Sequence, residues 1–118
     1  MKKLFLTLLA TFAFAITFAK PADARVSTYT AKISNILFYE GGDLIYIYLE
    51  GGTQNRPACA GSNGDYISFS MKRPRAKEYL SGLMMAFSTG KPVTFTVYGA
   101  CIDQPVSDTI IYFAVNNN

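Results

Sequence analysis

Apolar and polar residues alternate along most of this chain, a pattern that predicts β-strands. Five runs have this period or are dense in β-branched and aromatic residues: 28–39, 44–49, 66–71, 92–98 and 109–115. Between the first two runs, residues 40–43 (Glu-Gly-Gly-Asp) predict a hairpin turn with two residues able to take positive φ. In the first run the apolar phase changes after Asn35, which indicates a bulge or a sharp bend.

One helix interrupts the strands, between the third run and the fourth. Its apolar residues follow the spacing of a single helical face, which is typical of core packing: Ala76, Tyr79, Leu80, Leu83, Met84 and Phe87. Pro74 suits the first turn and Gly90 the stop, so the helix is predicted over about 74–89. Gly82 costs helix stability and is expected to allow close packing.

The order of three strands, one helix and two strands is that of the OB-fold, a five-stranded Greek-key barrel. We therefore predict a mainly β protein in which the helix closes one open end of the barrel. The fourth strand is expected to direct Val93, Phe95 and Val97 inward. The second strand is apolar or aromatic on both faces, more apolar surface than one small core can bury, so we expect a homo-oligomer.

The first 24 residues have the composition of a signal peptide. A positive Met-Lys-Lys start is followed by an apolar run at 4–18 and an Ala-x-Ala pattern that ends at Ala24. The run is shorter than the roughly 20 residues that a spanning helix needs, so no membrane span is expected after cleavage. We predict a signal peptide at 1–24 (cleavage after Ala19 is the alternative), a binding domain at 25–118, and export to the periplasm or the medium.

Cleavage after Ala24 would change the charge of the chain. It would leave 94 of the 118 residues, with eight of the eleven basic and seven of the eight acidic side chains, for a net charge of +1. So small a charge provides no broad attraction to nucleic acid, which we do not expect as a partner. A chain of this length forms one domain with a small core.

Cys59 and Cys101 are the only cysteines, and in an exported domain they predict one disulfide. They lie 42 residues apart, so loop-closure entropy corresponds to about 4 kcal/mol of stabilisation. Metal binding is the rival interpretation, but the chain has no histidine to complete a ligand set. No cofactor is predicted.

The side chains available for catalysis are few. Without histidine there is no imidazole base, and both thiols are assigned to the disulfide. Most acidic residues sit at turns or loop edges, where solubility explains them: Glu40, Asp43, Asp65, Asp103 and Asp108. We predict that the protein is not an enzyme.

Two features favour a binding surface. Four basic residues cluster where the helix begins, at Lys72, Arg73, Arg75 and Lys77. Cations oppose the helix dipole there, so a patch for phosphate or a sialic acid carboxylate is one interpretation and a solvated helix entry is the other.

All eight tyrosines fall within 25–118, seven on predicted strands or their ends, where their rings can stack on sugars or bases. Strand propensity explains each one singly.

Residues 79–93, which end in Ser-Thr-Gly-Lys-Pro-Val, and the Tyr-Leu-Glu-Gly sequence at 48–51 resemble the B subunit of subtilase cytotoxin. Typhoid-toxin and pertussis-type B subunits are similar relatives. The resemblance implies an OB-fold, a ring of five subunits, binding of sialylated host glycans, and an enzymatic A subunit held on the ring.

The resemblance also implies positions for the glycan site. A hydroxyl residue precedes the first strand in that family, and Thr30 or Ser27 stands there. An acidic residue ends the second strand, and Glu50 matches it. The family's aromatic residue corresponds to Tyr98, which comes one step late, and the cysteines differ from the family's usual pairing. We expect a non-catalytic glycan-binding module; the alternative is a periplasmic OB-fold protein with a structural or protein-interaction role and no toxin partner.

Overall fold

The computed structural model describes residues 25–117, which form one mixed β-sheet with one α-helix. The predicted signal peptide at 1–24 lies outside the described residues. The elements in chain order are β1 Ser27–Ala31, β2 Ile33–Tyr39, β3 Leu44–Leu49, β4 Ile67–Ser70, α1 Ala76–Thr89, β5 Val93–Val97 and β6 Asp108–Val115. The mainly β class is confirmed. In this part of the chain, no helix has the length and apolar character needed to cross a membrane.

The strand order is β1-β5-β6-β4-β3-β2, and every neighbouring pair is antiparallel except the parallel pair β4–β6. Six strands occur where five were predicted, because the first run is divided at Lys32. Its first half pairs with β5 and its second half with β3. A register shift between Ile33 and Asn35 confirms the expected irregularity. Consecutive segments of the chain therefore lie at the two ends of the strand order.

The predicted hairpin turn joins the antiparallel strands β2 and β3. Glu40–Gly42 form a short 3-10 turn, and Asp43 adopts the left-handed conformation with φ 52°. Positive φ thus falls on the aspartate of this turn, one of the few residues other than glycine that tolerate this region. Gly41 is constrained by space instead, because a Cβ atom there would lie 2.8 Å from the ring of Tyr39.

The main core lies on one face of the strands. Alternation along β5 buries Val93, Phe95 and Val97 completely, as predicted. Residues from β3, β4, β6 and α1 complete this core, among them Ile47, Ile67, Phe69, Leu83 and Ile110, all fully buried. We call this side of β3 and β4 the inner face.

The helix covers the core with a face rotated from the predicted one. Its stop is confirmed, since Gly90 has φ 66° and its N–H donates to carbonyl oxygens of the last turn. Leu83 and Ala86 are buried, whereas Met84 and Phe87, predicted for the core, are 48% and 45% exposed. The physical reason is a close approach at Gly82, where a Cβ atom would lie 3.2 Å from the Phe113 ring. Small residues at this contact turn the larger side chains outward.

The opposite side of β3 and β4, here called the outer face, is also covered within the chain. Tyr46 and Tyr66 are buried there by residues 101–107, which we call the covering loop. The predicted disulfide is confirmed: Cys59 and Cys101 are bonded, with Cα atoms 6.2 Å apart. It ties the covering loop to the long loop that follows β3. Two apolar faces on β3 therefore do not by themselves require a partner subunit.

Candidate functional site

Ser27 and Thr30 lie on opposite faces of β1, because successive side chains of a strand alternate. Ser27 is on the side of buried Tyr29, and its Oγ accepts a hydrogen bond of 2.8 Å from Asn55 Nδ2. Thr30 is on the exposed side, with its Oγ1 2.7 Å from that of Thr94. The two hydroxyls therefore serve different surfaces.

Glu50 and Tyr98 lie towards opposite ends of β1. The Glu50 N–H donates to the Lys32 carbonyl oxygen at 2.9 Å, next to the end of β1 that carries Thr30. Tyr98 follows Val97, which pairs with Ser27, and lies four residues from Thr94, the partner of Thr30. Four strand residues span about 13 Å. The fold therefore brings Thr30 towards Glu50 and Ser27 towards Tyr98, but does not gather all four at one point.

Thr30 belongs to a larger polar surface formed by β1, β5 and β6. Thr28 Oγ1 lies 3.0 Å from Thr96 Oγ1, and Asn116 Nδ2 donates to Thr94 Oγ1 at 2.8 Å. Tyr112, which pairs with Thr96, is 56% exposed beside them. We call Thr28, Thr30, Thr94 and Tyr112 the hydroxyl face. Cross-strand pairs of this kind hold their side chains in fixed orientations, so exposed hydroxyls and an aromatic ring are displayed on a rigid sheet.

The basic cluster divides into one internal anchor and three exposed side chains. The Arg73 guanidinium donates to the carbonyl oxygens of Ile110 and Ile111, the second at 3.0 Å. It also lies 3.7 Å from the Asp103 carboxylate and 5.6 Å from the centre of the Tyr79 ring. Arg73 thus fastens the segment before α1 to β6. Sequence reasoning missed this role, because the two carbonyl groups that Arg73 binds are 37 and 38 residues away in the chain.

The remaining cations, Lys72, Arg75 and Lys77, are exposed. Lys72 Nζ lies 3.8 Å from the Asp43 carboxylate, a surface ion pair of little energetic weight. Arg75 precedes the helix with φ 63°, a left-handed conformation that is unfavourable for arginine. Within residues 25–117, no side chain caps the N-terminus of the helix.

A buried polar network organises the outer face around Gln104. Its Nε2 donates to the Tyr46 hydroxyl at 2.7 Å, and its Oε1 accepts from Tyr66 at 2.8 Å and from Ser107 at 2.6 Å. The rings of Tyr46 and Tyr66 stack with centroids 4.2 Å apart. Ser107 in turn bonds with Ser68 on β4. Gln104 was not singled out from the sequence, since a glutamine in a polar loop carries no local signal of burial.

A small pocket opens at the turn between β2 and β3. It has a volume of about 200 Å³ and is lined by Phe38, Tyr39, Glu40, Asp43, Leu44, Ile45 and Met71. Phe38 and Tyr39 are 58% and 49% exposed. We call it the hairpin pocket. Sequence reasoning explained the Glu40 and Asp43 carboxylates by solubility. It did not use the two consecutive aromatic residues, Phe38 and Tyr39, that directly precede this acidic turn.

Two buried oxygens next to the main core have no hydrogen-bond partner within residues 25–117: the Tyr29 hydroxyl and Asp108 Oδ2. Burial raises the pKa of Tyr29 to about 12; the nearby Gln54 backbone partly opposes this shift, and the charges of Asp108 and Asp65 add to it. Burial also raises the pKa of Asp108, against the opposing effect of backbone N–H groups that include that of Ala100, 3.1 Å from Oδ1.

Asp65 organises the long loop after β3. Its carboxylate accepts hydrogen bonds from the backbone and hydroxyl of Thr53, and Arg56 forms an ion pair with it at 3.0 Å. Burial by itself would raise the pKa of Asp65, but the Thr53 hydrogen bonds and the Arg56 charge outweigh it and hold the pKa below its ordinary value. Residues 25–117 contain no group of three or more His, Cys, Asp or Glu residues that could hold a metal ion.

Comparison of the chain with protein-family models, with curated proteins and with solved structures found no match in any of the three. The candidate surfaces must therefore be judged by their own chemistry. Two of them expose aromatic rings beside polar groups: the hydroxyl face, which is uncharged, and the hairpin pocket, which is acidic.

Proposed function

We propose that this protein is an exported, non-catalytic binding module with an OB-type barrel, and that its ligand is a glycan. The observation that carries the proposal is the hydroxyl face. Thr30 and Thr94 place hydroxyls on this side of the sheet, and the exposed ring of Tyr112 lies on the same side, two residues along β6 from the partner of Thr94. Hydroxyls exchange hydrogen bonds with sugar hydroxyls in either direction, and an aromatic ring offers a flat apolar surface to the sugar ring.

The OB assignment is supported by the connectivity. When β1 and β2 are counted as one strand bent at Lys32, the chain has five strands with the helix between the third and the fourth. The bent strand then neighbours both the second and the fourth strand, and the third and fifth strands pair in parallel, which is the arrangement of a five-stranded OB barrel.

Export, sialylated glycans, a ring of five subunits and an enzymatic A subunit belong to the same proposal through the resemblance to subtilase cytotoxin B subunits. The signal-peptide pattern and the disulfide support export to an oxidising compartment. For assembly, the relevant apolar surface is the exposed side of α1, which includes Met84, Met85 and Phe87. The same surface also favours the alternative, a periplasmic OB-type protein that contacts another protein and has no toxin partner.

The glycan hypothesis is tested by applying the purified exported protein to a glycan array and then measuring affinities of variants for the strongest ligand. Thr30→Ala should weaken binding roughly tenfold, because a sugar hydroxyl would lose its partner. Thr30→Ser, which keeps the hydroxyl, and Arg75→Ala should bind nearly as well as the wild type. Normal binding by Thr30→Ala together with loss of binding by Arg75→Ala would move the site to the basic helix entry.

The assembly hypothesis is tested by light scattering on the same protein at micromolar concentration. A ring of five should dissociate when Met84 and Phe87 are both replaced by Ser, while glycan binding by a single subunit persists weakly. A wild-type monomer would favour the alternative role.

A further inference from the structure

We propose that Asn63 is a covalent modification site, where the side-chain amide reacts with the backbone of Gly64 and is converted by water to aspartate or isoaspartate. Both residues lie in the long loop between β3 and β4, and Asn63 is exposed. Asn63 is the only asparagine in the sequence that is followed by glycine. Modification here would introduce a negative charge next to the buried polar network of the outer face.

The reaction uses the chain itself, with water as the only co-reactant. The Gly64 nitrogen attacks the Asn63 side-chain carbonyl carbon, and the new C–N bond closes a succinimide ring. The bond between Cγ and Nδ2 breaks, and ammonia leaves with the proton that the Gly64 nitrogen has lost. Water then opens the ring. Its attack at Cγ gives aspartate, and its attack at the backbone carbonyl carbon gives isoaspartate, in which the main chain runs through the side chain.

The backbone at Gly64 favours this attack. Glycine has no side chain to hinder the approach of its nitrogen, and its backbone is the most permissive of all residues. Within residues 25–117 the Gly64 N–H donates to no backbone carbonyl oxygen, so no such bond holds it away from Asn63. The fold also requires glycine here, because φ is 139° and a Cβ atom would lie 3.3 Å from the Tyr66 ring. The structure therefore retains the residue that makes Asn63 reactive.

The Asn63 amide supports the outer face in a way that a carboxylate does not. Its Nδ2 donates to the Tyr66 hydroxyl at 3.0 Å, and that hydroxyl donates to Gln104 Oε1 at 2.8 Å. An ionised carboxylate accepts hydrogen bonds and has none to donate. The single proton of the Tyr66 hydroxyl would then serve either the new carboxylate or Gln104, so the network loses one hydrogen bond in both cases. Deamidation therefore loosens the covering loop.

The reaction is tested by incubating the purified exported protein at mildly alkaline pH and locating deamidated residues by fragmentation mass spectrometry. Asn55 is the internal control. It is an exposed asparagine of the same loop whose Nδ2 also donates to a hydroxyl, that of Ser27 at 2.8 Å, but it is followed by arginine. Asn63 should react faster than Asn55 by roughly tenfold or more, equivalent to about 1.4 kcal/mol in the activation free energy, with isoaspartate among the products. Equal rates at the two residues would overturn the proposal.

Two variants test the consequence for the outer face. Asn63→Asp reproduces one product and should speed hydrogen exchange in the covering loop roughly threefold or more, while exchange in β5 stays at the wild-type rate. Asn63→Gln should gain no mass at residue 63 during the same incubation, because a glutamine amide would have to close a larger ring. Wild-type exchange in the covering loop of Asn63→Asp would contradict the link to the Gln104 network, whether or not the glycan hypothesis holds.

Discussion

The two faces of β3 and β4 are stabilised in different ways. On the inner face Ile47, Ile67 and Phe69 are completely buried among apolar side chains of the strands and the helix. On the outer face Tyr46 and Tyr66 are also buried, with 5% and 2% exposure, but beneath a loop with no regular secondary structure. The inner face depends on apolar burial, whereas the outer face depends on a set of hydrogen bonds and a covalent link.

This difference has consequences for how each face tolerates change. Apolar packing is non-directional, so its cost of disruption scales with the volume removed. A buried polar network is directional, and removing one member leaves the other members desolvated without partners. In residues 25–117, the side chains of the Gln104 network are all partnered, while the two unpartnered buried oxygens belong to Tyr29 and Asp108.

The largest expected effect is on the inner face. Phe69→Ala should lower the free energy of unfolding by about 3–5 kcal/mol, because it opens a cavity in a fully buried site. Urea denaturation of the oxidised protein measures this change. Phe38→Ala, the same substitution at a side chain that is 58% exposed, should cost under about 1 kcal/mol. Similar costs for the two variants would mean that the core is not where the structure places it.

Loss of the disulfide should affect the outer face most. Replacing both Cys59 and Cys101 by Ser should lower the free energy of unfolding by about 4 kcal/mol if loop closure dominates. Hydrogen exchange should then accelerate first in the covering loop, and later in β5. Equal acceleration in both regions, or no loss of stability, would contradict a special dependence of the outer face on the crosslink.

Gln104→Ala should lower the free energy of unfolding by about 2 kcal/mol, because three hydroxyl groups lose the partner that they share: those of Tyr46, Tyr66 and Ser107. The matched control is Gln54→Ala, which removes an exposed glutamine and should be nearly neutral. A double-mutant cycle with Tyr66→Phe should be non-additive, because both changes remove the same hydrogen bond. Additive effects would show that the network does not act as a unit.

The smallest effects concern two carboxylates with opposite pH dependence. Because burial raises the pKa of Asp108 in the folded state, its contribution to stability is greatest below its ordinary pKa of 3.8 and declines as pH rises through the folded value. Asp65 behaves in the opposite way: its pKa is lowered, so its contribution is present above 3.8 and declines as pH falls through the folded value.

Denaturation midpoints measured between pH 3 and pH 7 test this pair. Relative to wild type, Asp108→Asn should gain stability as pH rises, and Asp65→Asn should lose it. The Asp65 effect should be the smaller of the two, because that carboxylate is partly exposed and solvent screens its interactions. If the stability of both variants relative to wild type changed in the same direction with pH, the opposite pKa shifts of Asp108 and Asp65 would be contradicted.

Several elements followed from local sequence alone. The bounds of β3, the inward set Val93, Phe95 and Val97, and the helix stop at Gly90 were all predicted, because each depends on alternation, helical spacing or one residue's backbone preference. The disulfide was predicted because only one pairing of two cysteines exists. Glycan binding, export and a ring of five subunits remain predictions.

What the sequence by itself determined, then, is where strands and the helix form and which side of most strands is apolar, since these are properties of neighbouring residues. Tertiary structure alone decided the division of the first run at Lys32, the outward turn of Met84 and Phe87, and the internal role of Arg73. It also placed Gln104 in the outer face and formed the hairpin pocket from the turn and the end of β4. Each of these depends on a contact between residues distant in the chain, and local periodicity carries no information about which distant surface a side chain will meet.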